Sequence, residues 1–154
     1  QRQMCIRDRI YVVGSVEYQY PNHLFQAGYF LDKKYYDENT IDFKHLLLSE
    51  KNQSLLKDIQ NSNSVGVHIR RGDYMTKQNL VIFGNICTQK YYHDAIRIIT
   101  EKVNDAVFYV FSDDISWVQT HLDIPNAVYV NWNTGESSIY DMYLMSSCKY
   151  NCRY

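Results

Sequence analysis

The most informative stretch of the sequence covers residues 65–74 and reads V-G-V-H-I-R-R-G-D-Y. Alternate apolar residues, Val65, Val67 and Ile69, lead directly into two arginines, a glycine and an aspartate. This order is typical of a buried strand that delivers polar side chains to a ligand. The donor fork of arginine matches the paired oxygens of a phosphate, and a nearby aspartate can hold an arginine or a sugar hydroxyl. The stretch therefore predicts a site for a phosphorylated ligand.

Two plainer interpretations of this stretch compete with a ligand site. Arg71 and Asp73 can form a surface ion pair, which contributes little to stability. Arg71, Gly72 and Asp73 also spell the tripeptide of integrin-type adhesion, which needs an exposed loop tip in an extracellular protein. Residue types alone leave the ion pair and the ligand site equally open.

Strands and helices of similar size alternate along the chain. The apolar spacing predicts strands over residues 10–13, 65–69, 106–111 and 127–130, and helices through residue 58 and over residues 89–102, 112–121 and 138–147. Thr88 is the predicted N-cap of the second of these helices. Residues 18–37 are aromatic and predict an irregular connecting segment with one short helix. This alternation favours βαβ units and a parallel sheet.

The carboxyl ends of parallel strands indicate where a ligand would bind. In such a sheet, ligands occupy the crevice outside these ends, where loops and helix N-termini meet. Residues 70–73, 112–114 and 131–133 each follow a predicted strand. We therefore expect these three segments to converge on one pocket.

Several blocks of the sequence resemble a known family. Residues 68–74 resemble the H-x-R-R-G-D-Y motif of the α1,2-fucosyltransferases of glycosyltransferase family 11. Three later blocks resemble successive blocks of that family in the same order: residues 108–117 (F-Y-V-F-S-D-D-I-S-W), 130–133 (V-N-W-N) and 140–149 (Y-D-M-Y-L-M-S-S-C-K). Residues 28–36 are similar to its G-Y-F-Q-x-x-K-Y-F stretch, although Leu31 stands where glutamine is usual. The resemblance covers residues 11–151.

This resemblance implies a fold and an activity. The expected fold is α/β, a Rossmann-like parallel sheet from the C-terminal half of a GT-B glycosyltransferase. The expected reaction transfers L-fucose from GDP-fucose, with inversion, to the 2-hydroxyl of a galactose-containing glycan acceptor, and it requires no metal and no cofactor. A non-catalytic module that binds a nucleotide sugar and a GT-B transferase that uses another GDP-sugar remain as alternatives.

The resemblance also implies roles for the residues of the first motif. Arg70 and Arg71 would contact the diphosphate, and one of them would neutralise the charge that builds on the leaving GDP. Asp73 would orient an arginine or a fucose hydroxyl, and its two cationic neighbours make it a poor base. His68 shares a strand face with Arg70 and is equally well interpreted as a nucleotide contact or as a hydrogen-bonded core histidine.

Four residues of the later blocks complete the predicted donor site. Asp114 would accept hydrogen bonds from guanine N1 and N2, and a helix cap is the rival interpretation of this residue. Ser112 and Asp113 are predicted donor contacts that could also supply this cap. Asp141 matches an aspartate of the family, but compensation of a helix dipole would explain it too.

Both ends of the chain depart from the family pattern. Residues 1–9 carry no apolar periodicity and read as a translated adapter or a disordered tail. Residues 10–60 are expected to be a remnant of the N-terminal domain with a connecting segment, and residues 61–154 a truncated GDP-fucose-binding domain. The family's G-G-L-G-N-Q and N-S-S-F-S-W-W blocks are not in this sequence, so we expect a fragment without transferase activity of its own.

The composition of the chain limits the classes of partner that it can bind. With 45% hydrophobic and 21% charged residues the 154-residue chain fits one globular domain, and its net charge of −1 gives no basic stripe for nucleic acid. No apolar run approaches the ~20 residues of a membrane span, so we expect membrane association only through segments outside this sequence. The four cysteines predict reduced thiols and no zinc site. The resemblance implies the bacterial cytoplasm, peripheral to the inner membrane at most, or the Golgi lumen of a eukaryote.

Overall fold

The computed structural model describes Phe43, residues 45–81 and residues 88–152 with their side chains. It also describes the backbone of residues 82–83 and, before Phe43, the backbone of four strands. The chain divides into two compact units, Gln1–Lys44 and His45–Tyr154.

The first unit contains two antiparallel strand pairs. Strand β1 (Gln3–Ile6) pairs with β2 (Arg9–Val12), and β3 (Val16–Tyr20) pairs with β4 (His23–Ala27). The strand predicted over residues 10–13 is confirmed as β2, and β1 falls within the nine residues that resemble an adapter. The prediction of an irregular segment from residue 18 is wrong for β3 and β4, because the alternation V-E-Y-Q-Y has the period of a strand. The family-like stretch over residues 28–36 lies outside the described residues.

The second unit is built from alternating helices and strands. In chain order its elements are α1 (Glu50–Asn61), β5 (Asn63–Ile69), α2 (Lys77–Phe83), α3 (Gln89–Lys102), β6 (Ala106–Ser112), α4 (Ile115–His121), β7 (Ala127–Val130), α5 (Ser138–Ser146) and β8 (Tyr150–Cys152). Short 3₁₀ turns precede α2 and α5. The predicted cap of α3 is confirmed, since the side chain of Thr88 accepts a hydrogen bond from the backbone N–H of Tyr91.

Four of these strands form one parallel sheet in the order β7-β6-β5-β8. The chain moves outward from β5 through β6 to β7 and then crosses back to place β8 on the other side of β5. This reversal creates a topological switch point beside β5, which is where open parallel sheets bind ligands. The predicted α/β class with a parallel sheet is confirmed, and β8 is an additional strand that the predicted elements lack.

Both faces of the sheet are covered by helices. Val65, Val67 and Ile69 face α3 and α4, whereas Tyr109 and Phe111 face α1 and α5. Strands buried on both sides explain the nearly continuous apolar runs in the sequence. The core on the first face comprises Val65, Val67, Ile69, Tyr92, Ile96, Ala106, Phe108, Val110, Val118, Leu122 and Ile124, and that on the second comprises Leu55, Ile59, Tyr109, Phe111, Val130, Leu144 and Cys148.

Helix α1 belongs to the second unit, because Leu55 and Ile59 pack in its core. The division that the resemblance implies, between residues 60 and 61, stays a prediction about the family's domains. Cys148 is a free thiol, and burial raises its pKa to about 11. Among the described residues, no helix combines the length and the apolar character that crossing a bilayer requires.

Candidate functional site

The three polar segments predicted to share one rim meet at the carboxyl edge of the sheet. The strands are in register there: Ile69 lies opposite Ser112, and Phe111 lies opposite Val130. Each strand therefore ends at the same level, and the residues that follow emerge side by side. The expected convergence of residues 70–73, 112–114 and 131–133 is confirmed as geometry.

A cavity of about 630 Å³ opens at this edge, within the second unit. One wall is formed by His68 and Arg70 of β5 and its extension, and the opposite wall by Asp141, Met142 and Met145 of α5. Ser112, Asp113, Ile115, Val130, Asn131, Asn133, Thr134, Gly135 and Ser138 complete the lining. Cationic, carboxylate and amide groups thus face one space of the size that small-molecule sites have.

Arg70 is held by a bidentate ion pair. Its Nε lies 3.1 Å from Asp73 Oδ1, and its Nη2 lies 3.2 Å from Asp73 Oδ2. This bond raises the pKa of Arg70 and lowers that of Asp73. Both side chains are about half exposed, so the pair adds little to stability, but it fixes the direction of the guanidinium. Because a lowered pKa weakens a base, Asp73 is suited to orienting Arg70 rather than to accepting a proton.

Asp113 clamps the loop that follows β5. Its two carboxylate oxygens accept hydrogen bonds from the backbone N–H groups of Arg71, at 2.8 Å, and Gly72, at 2.9 Å. A Cβ atom on Gly72 would lie only 2.8 Å from Asp113 Oδ2, so a larger residue at position 72 would force the Asp113 side chain to shift. The clamp joins the ends of β5 and β6. It fixes the position of the loop that carries Arg70 and Arg71, which we call the arginine loop.

Arg71 points away from the cavity that Arg70 lines. Its guanidinium carbon lies 3.6 Å from the ring centre of Trp117 on α4, a stacking contact. Its Nε lies 3.5 Å from Asp114 Oδ2, within ion-pair distance but without hydrogen-bond geometry. Successive residues of an extended chain face opposite sides, so Arg70 follows the face of His68 and Arg71 follows that of Ile69.

Asp114 is the N-cap of α4, because its Oδ1 accepts a hydrogen bond from the backbone N–H of Trp117 at 3.1 Å. Of the two interpretations that the sequence leaves open for Asp114, the structure therefore contains the helix cap. Its other oxygen faces Arg71, and Asp114 does not line the cavity. Ser112 Oγ accepts a hydrogen bond from the backbone N–H of Asp114 and supports the same turn.

His68 reaches the cavity and is exposed there. Partial withdrawal from water lowers its pKa, the charge of Arg70 lowers it further, and Asp113 acts in the opposite direction. The ring is thus neutral near pH 7 and can donate or accept a hydrogen bond. Its position favours a ligand contact over the core histidine that the sequence leaves equally open.

A chain of two amides, of which Asn52 is buried and Asn133 half-buried, supports the wall formed by α5. Asn133 Nδ2 donates to Asp141 Oδ1 at 2.7 Å and to Asn52 Oδ1 at 3.2 Å. Asn52 Nδ2 donates to Asn133 Oδ1 at 3.0 Å, and Trp132 Nε1 donates to Asn52 Oδ1 at 2.7 Å. Burial raises the pKa of Asp141, and the bond from Asn133 acts in the opposite direction. Asp141 also lies in the first turn of α5, so the helix dipole favours its charge.

Five of the eight predicted site residues line one cavity: His68, Arg70, Ser112, Asp113 and Asp141. Asp73 supports Arg70 from beside the cavity, while Arg71 and Asp114 pack against α4. The roles of all eight in binding stay predictions. The sequence analysis missed Asn52. The signal that could have revealed it is that Asn52 is a polar residue on the buried face of α1, which Leu55 and Ile59 define.

In the part of the chain that the structure describes, no three or more His, Cys, Asp or Glu residues are grouped so that they could hold a metal ion.

Comparison with known proteins finds relatives that are all named as glycosyltransferases. An alpha-1,2-colitosyltransferase of Escherichia coli is 33% identical over 147 residues, covering 90% of this chain and 47% of that protein. The O-antigen biosynthesis glycosyltransferase WbnK of Escherichia coli is 42% identical over 93 residues, covering 60% of this chain and 31% of that protein. Galactoside alpha-(1,2)-fucosyltransferase 2 of Pongo pygmaeus is 26% identical over 113 residues, covering 69% of this chain and 33% of that protein. The chain thus spans about half the length of these relatives or less.

No solved structure matches the chain. The family model described as Glycosyl transferase family 11 matches residues 14–152. That segment contains the whole parallel sheet, the arginine loop and every residue that lines the cavity. The chain belongs to glycosyltransferase family 11.

Proposed function

We propose that this chain forms the donor-binding part of an α1,2-fucosyltransferase and that its cavity binds GDP-fucose. The observation that carries this proposal is the placement of Arg70: it lines a cavity at the carboxyl edge of a parallel sheet and is held there by Asp73. Family membership and relatives named for α1,2-transfer support the same reaction class.

In this proposal Arg70 contacts the diphosphate. Its bonds to Asp73 use Nε and Nη2, which leaves the Nη1 end of the fork for phosphate oxygens. Arg71 contributes indirectly, because its stacking on Trp117 anchors the loop from which Arg70 projects. A donor aimed at the leaving group commonly supplies on the order of 3 kcal/mol of transition-state stabilisation.

The guanine base is assigned to the wall formed by α5. A carboxylate is the natural acceptor for the N1 and N2 donors of guanine. Both oxygens of Asp114 face groups of the protein, and both oxygens of Asp113 accept from the loop backbone. Asp141 lines the cavity and uses Oδ1 for Asn133, so its second oxygen is the better candidate for the base.

The proposed reaction is an inverting displacement. The 2-hydroxyl oxygen of a galactosyl acceptor forms a bond to C1 of fucose, the bond between C1 and the β-phosphate oxygen breaks, and its electron pair leaves with GDP. Arg70 neutralises that charge, so no metal is needed in this proposal. The hydroxyl proton passes to a base other than Asp73, whose pKa is lowered by Arg70.

One relative supports a second candidate for the sugar donor. The chain is 33% identical to an alpha-1,2-colitosyltransferase, so GDP-colitose is the alternative donor. Both donors share the GDP group that Arg70 and Asp141 would recognise, and they differ in the sugar. Transfer of colitose and not of fucose by the protein that carries this sequence would replace the first proposal by the second.

The test begins with calorimetric titration of GDP, GDP-fucose and UDP into this chain. We expect GDP and GDP-fucose to bind and UDP to bind more weakly, because the pyrimidine lacks the paired donors for Asp141. A transfer assay with the protein that carries this sequence then separates an enzyme from a binding module: the module would bind GDP equally well without forming a fucosylated product. Equal affinity for UDP and GDP would refute the donor assignment.

A further inference from the structure

Asn52 is a buried carboxamide that lies outside every family-like block. Its residue is 1% exposed, and it lies on the buried stripe of α1 with Leu55 and Ile59. Burying an amide in such a place costs free energy unless its hydrogen bonds are satisfied. The partners of Asn52 therefore indicate why a polar side chain is accommodated there.

The indole of Trp132 fixes the direction of the whole amide chain. An indole N–H can only donate, so Asn52 must turn its Oδ1 towards Trp132, at 2.7 Å. Asn52 Nδ2 then points to Asn133, whose Oδ1 accepts at 3.0 Å. Asn133 is left with its Nδ2 directed at Asp141 Oδ1, at 2.7 Å. One donor-only group thus sets the orientation of two amides and gives the carboxylate a donor.

The end of this chain lies in the proposed donor site. Asn133 and Asp141 line the same cavity as Arg70, whereas Asn52 does not line it. We propose that Asn52 is a positioning residue, which orients Asn133 so that Asp141 is presented to the nucleobase as an ionised acceptor. This rests on the proposed function, in which Asp141 accepts hydrogen bonds from guanine.

Loss of Asn52 would act on the site through Asn133. Without its partner the Asn133 amide can rotate by half a turn and place its carbonyl towards Asp141, which removes a donor and adds repulsion. A carboxylate that loses a donor binds its proton more tightly, so the pKa of Asp141 should rise. The other titratable groups that line the cavity are His68, Arg70 and Asp113, and none of these belongs to the amide chain.

The first experiment needs no ligand. The pKa of Asp141 is measured by carboxyl ¹³C NMR in the wild type, in Asn52→Leu and in Trp132→Phe, which removes only the orienting N–H. Asn61→Leu is the matched control, because Asn61 is exposed on the same helix and bonds only the carbonyl of Lys57 among the described residues. We expect a higher pKa in the first two variants and an unchanged one in the control. An unchanged pKa in Trp132→Phe and in any folded Asn52→Leu overturns the proposal.

The second experiment measures the consequence for binding. Asn52→Leu should bind GDP about tenfold more weakly, the effect of one hydrogen bond to a charged group. Asp141→Asn should weaken binding as well, and the double variant should be no weaker than Asp141→Asn alone. Fully additive losses, or wild-type affinity in Asn52→Leu, would show that Asn52 does not act through Asp141. A wild type that fails to bind GDP refutes the proposed function instead, and the NMR comparison still decides the orientation of Asn133.

Discussion

The distances around Asp113 predict how the substitution Gly72→Ala changes the stability of the folded chain. In Gly72→Ala the new methyl would lie 2.8 Å from Asp113 Oδ2 and 3.4 Å from its carboxyl carbon. Asp113 must therefore shift, and we expect that shift to break its bonds to the N–H groups of Arg71, at 2.8 Å, and Gly72, at 2.9 Å. Because Asp113 is exposed, each bond is discounted for solvent screening to about 1 kcal/mol, below the usual range for a charged acceptor, which gives about 2 kcal/mol for both.

The same loss should appear in ligand binding, because Arg70 projects from this loop. About 2 kcal/mol corresponds to about 30-fold in affinity. We expect Gly72→Ala and Asp113→Ala to lose similar stability in urea unfolding and similar GDP affinity in calorimetry. In the Asp113→Ala background, Gly72→Ala should cost less than about 0.5 kcal/mol, because no carboxylate remains to collide with the methyl. An equal cost of Gly72→Ala in both backgrounds would refute the clamp.

Three further predictions concern Asp141, Cys148 and metal dependence. Because burial raises the pKa of Asp141, its ionisation disfavours the folded state: the unfolding free energy should fall as pH rises from about 3.9, the ordinary carboxyl value, through the raised pKa. Asp141→Asn should lack that part of the pH dependence in thermal unfolding, and identical profiles would contradict it. Cys148, with a pKa of about 11, should react with iodoacetamide at pH 8 far more slowly in the folded chain than in urea, as followed by mass spectrometry; equal rates would count against its burial. EDTA should leave GDP affinity unchanged, and a loss that Mg²⁺ restores would disprove metal-independent binding.

The elements around the first motif follow from local chemistry. Alternating apolar residues and the Thr88 cap predict β5 and α3, because period and capping act within a few residues. β8 is harder to predict, since Tyr150–Cys152 is short and mixed in polarity, and only its pairing with β5 defines it. The β3–β4 hairpin is not evident from its aromatic composition, and only the alternation of aromatic with polar residues indicates these strands.

The position of the site in the fold could be predicted from the sequence, whereas several of its side-chain contacts could not. Element order alone places the arginine loop and Asp113 at one edge, because parallel strands end together. The separation of Arg70 from Arg71 follows from the alternation of side chains, although a shared motif suggests a shared role. The part played by Asn52 depends on Asn133, 81 residues away in sequence, and no local pattern reports such a partner.

The central claim is that Arg70 directs a guanidinium into this cavity to bind a diphosphate. Its most direct test is calorimetric titration of GDP into the wild type, Arg70→Ala and Arg97→Ala, since Arg97 is an exposed arginine paired with Glu101 on the surface of α3. We expect the wild type and Arg97→Ala to bind GDP alike, while folded Arg70→Ala shows no measurable binding. Arg70→Ala binding GDP as tightly as the other two would contradict it.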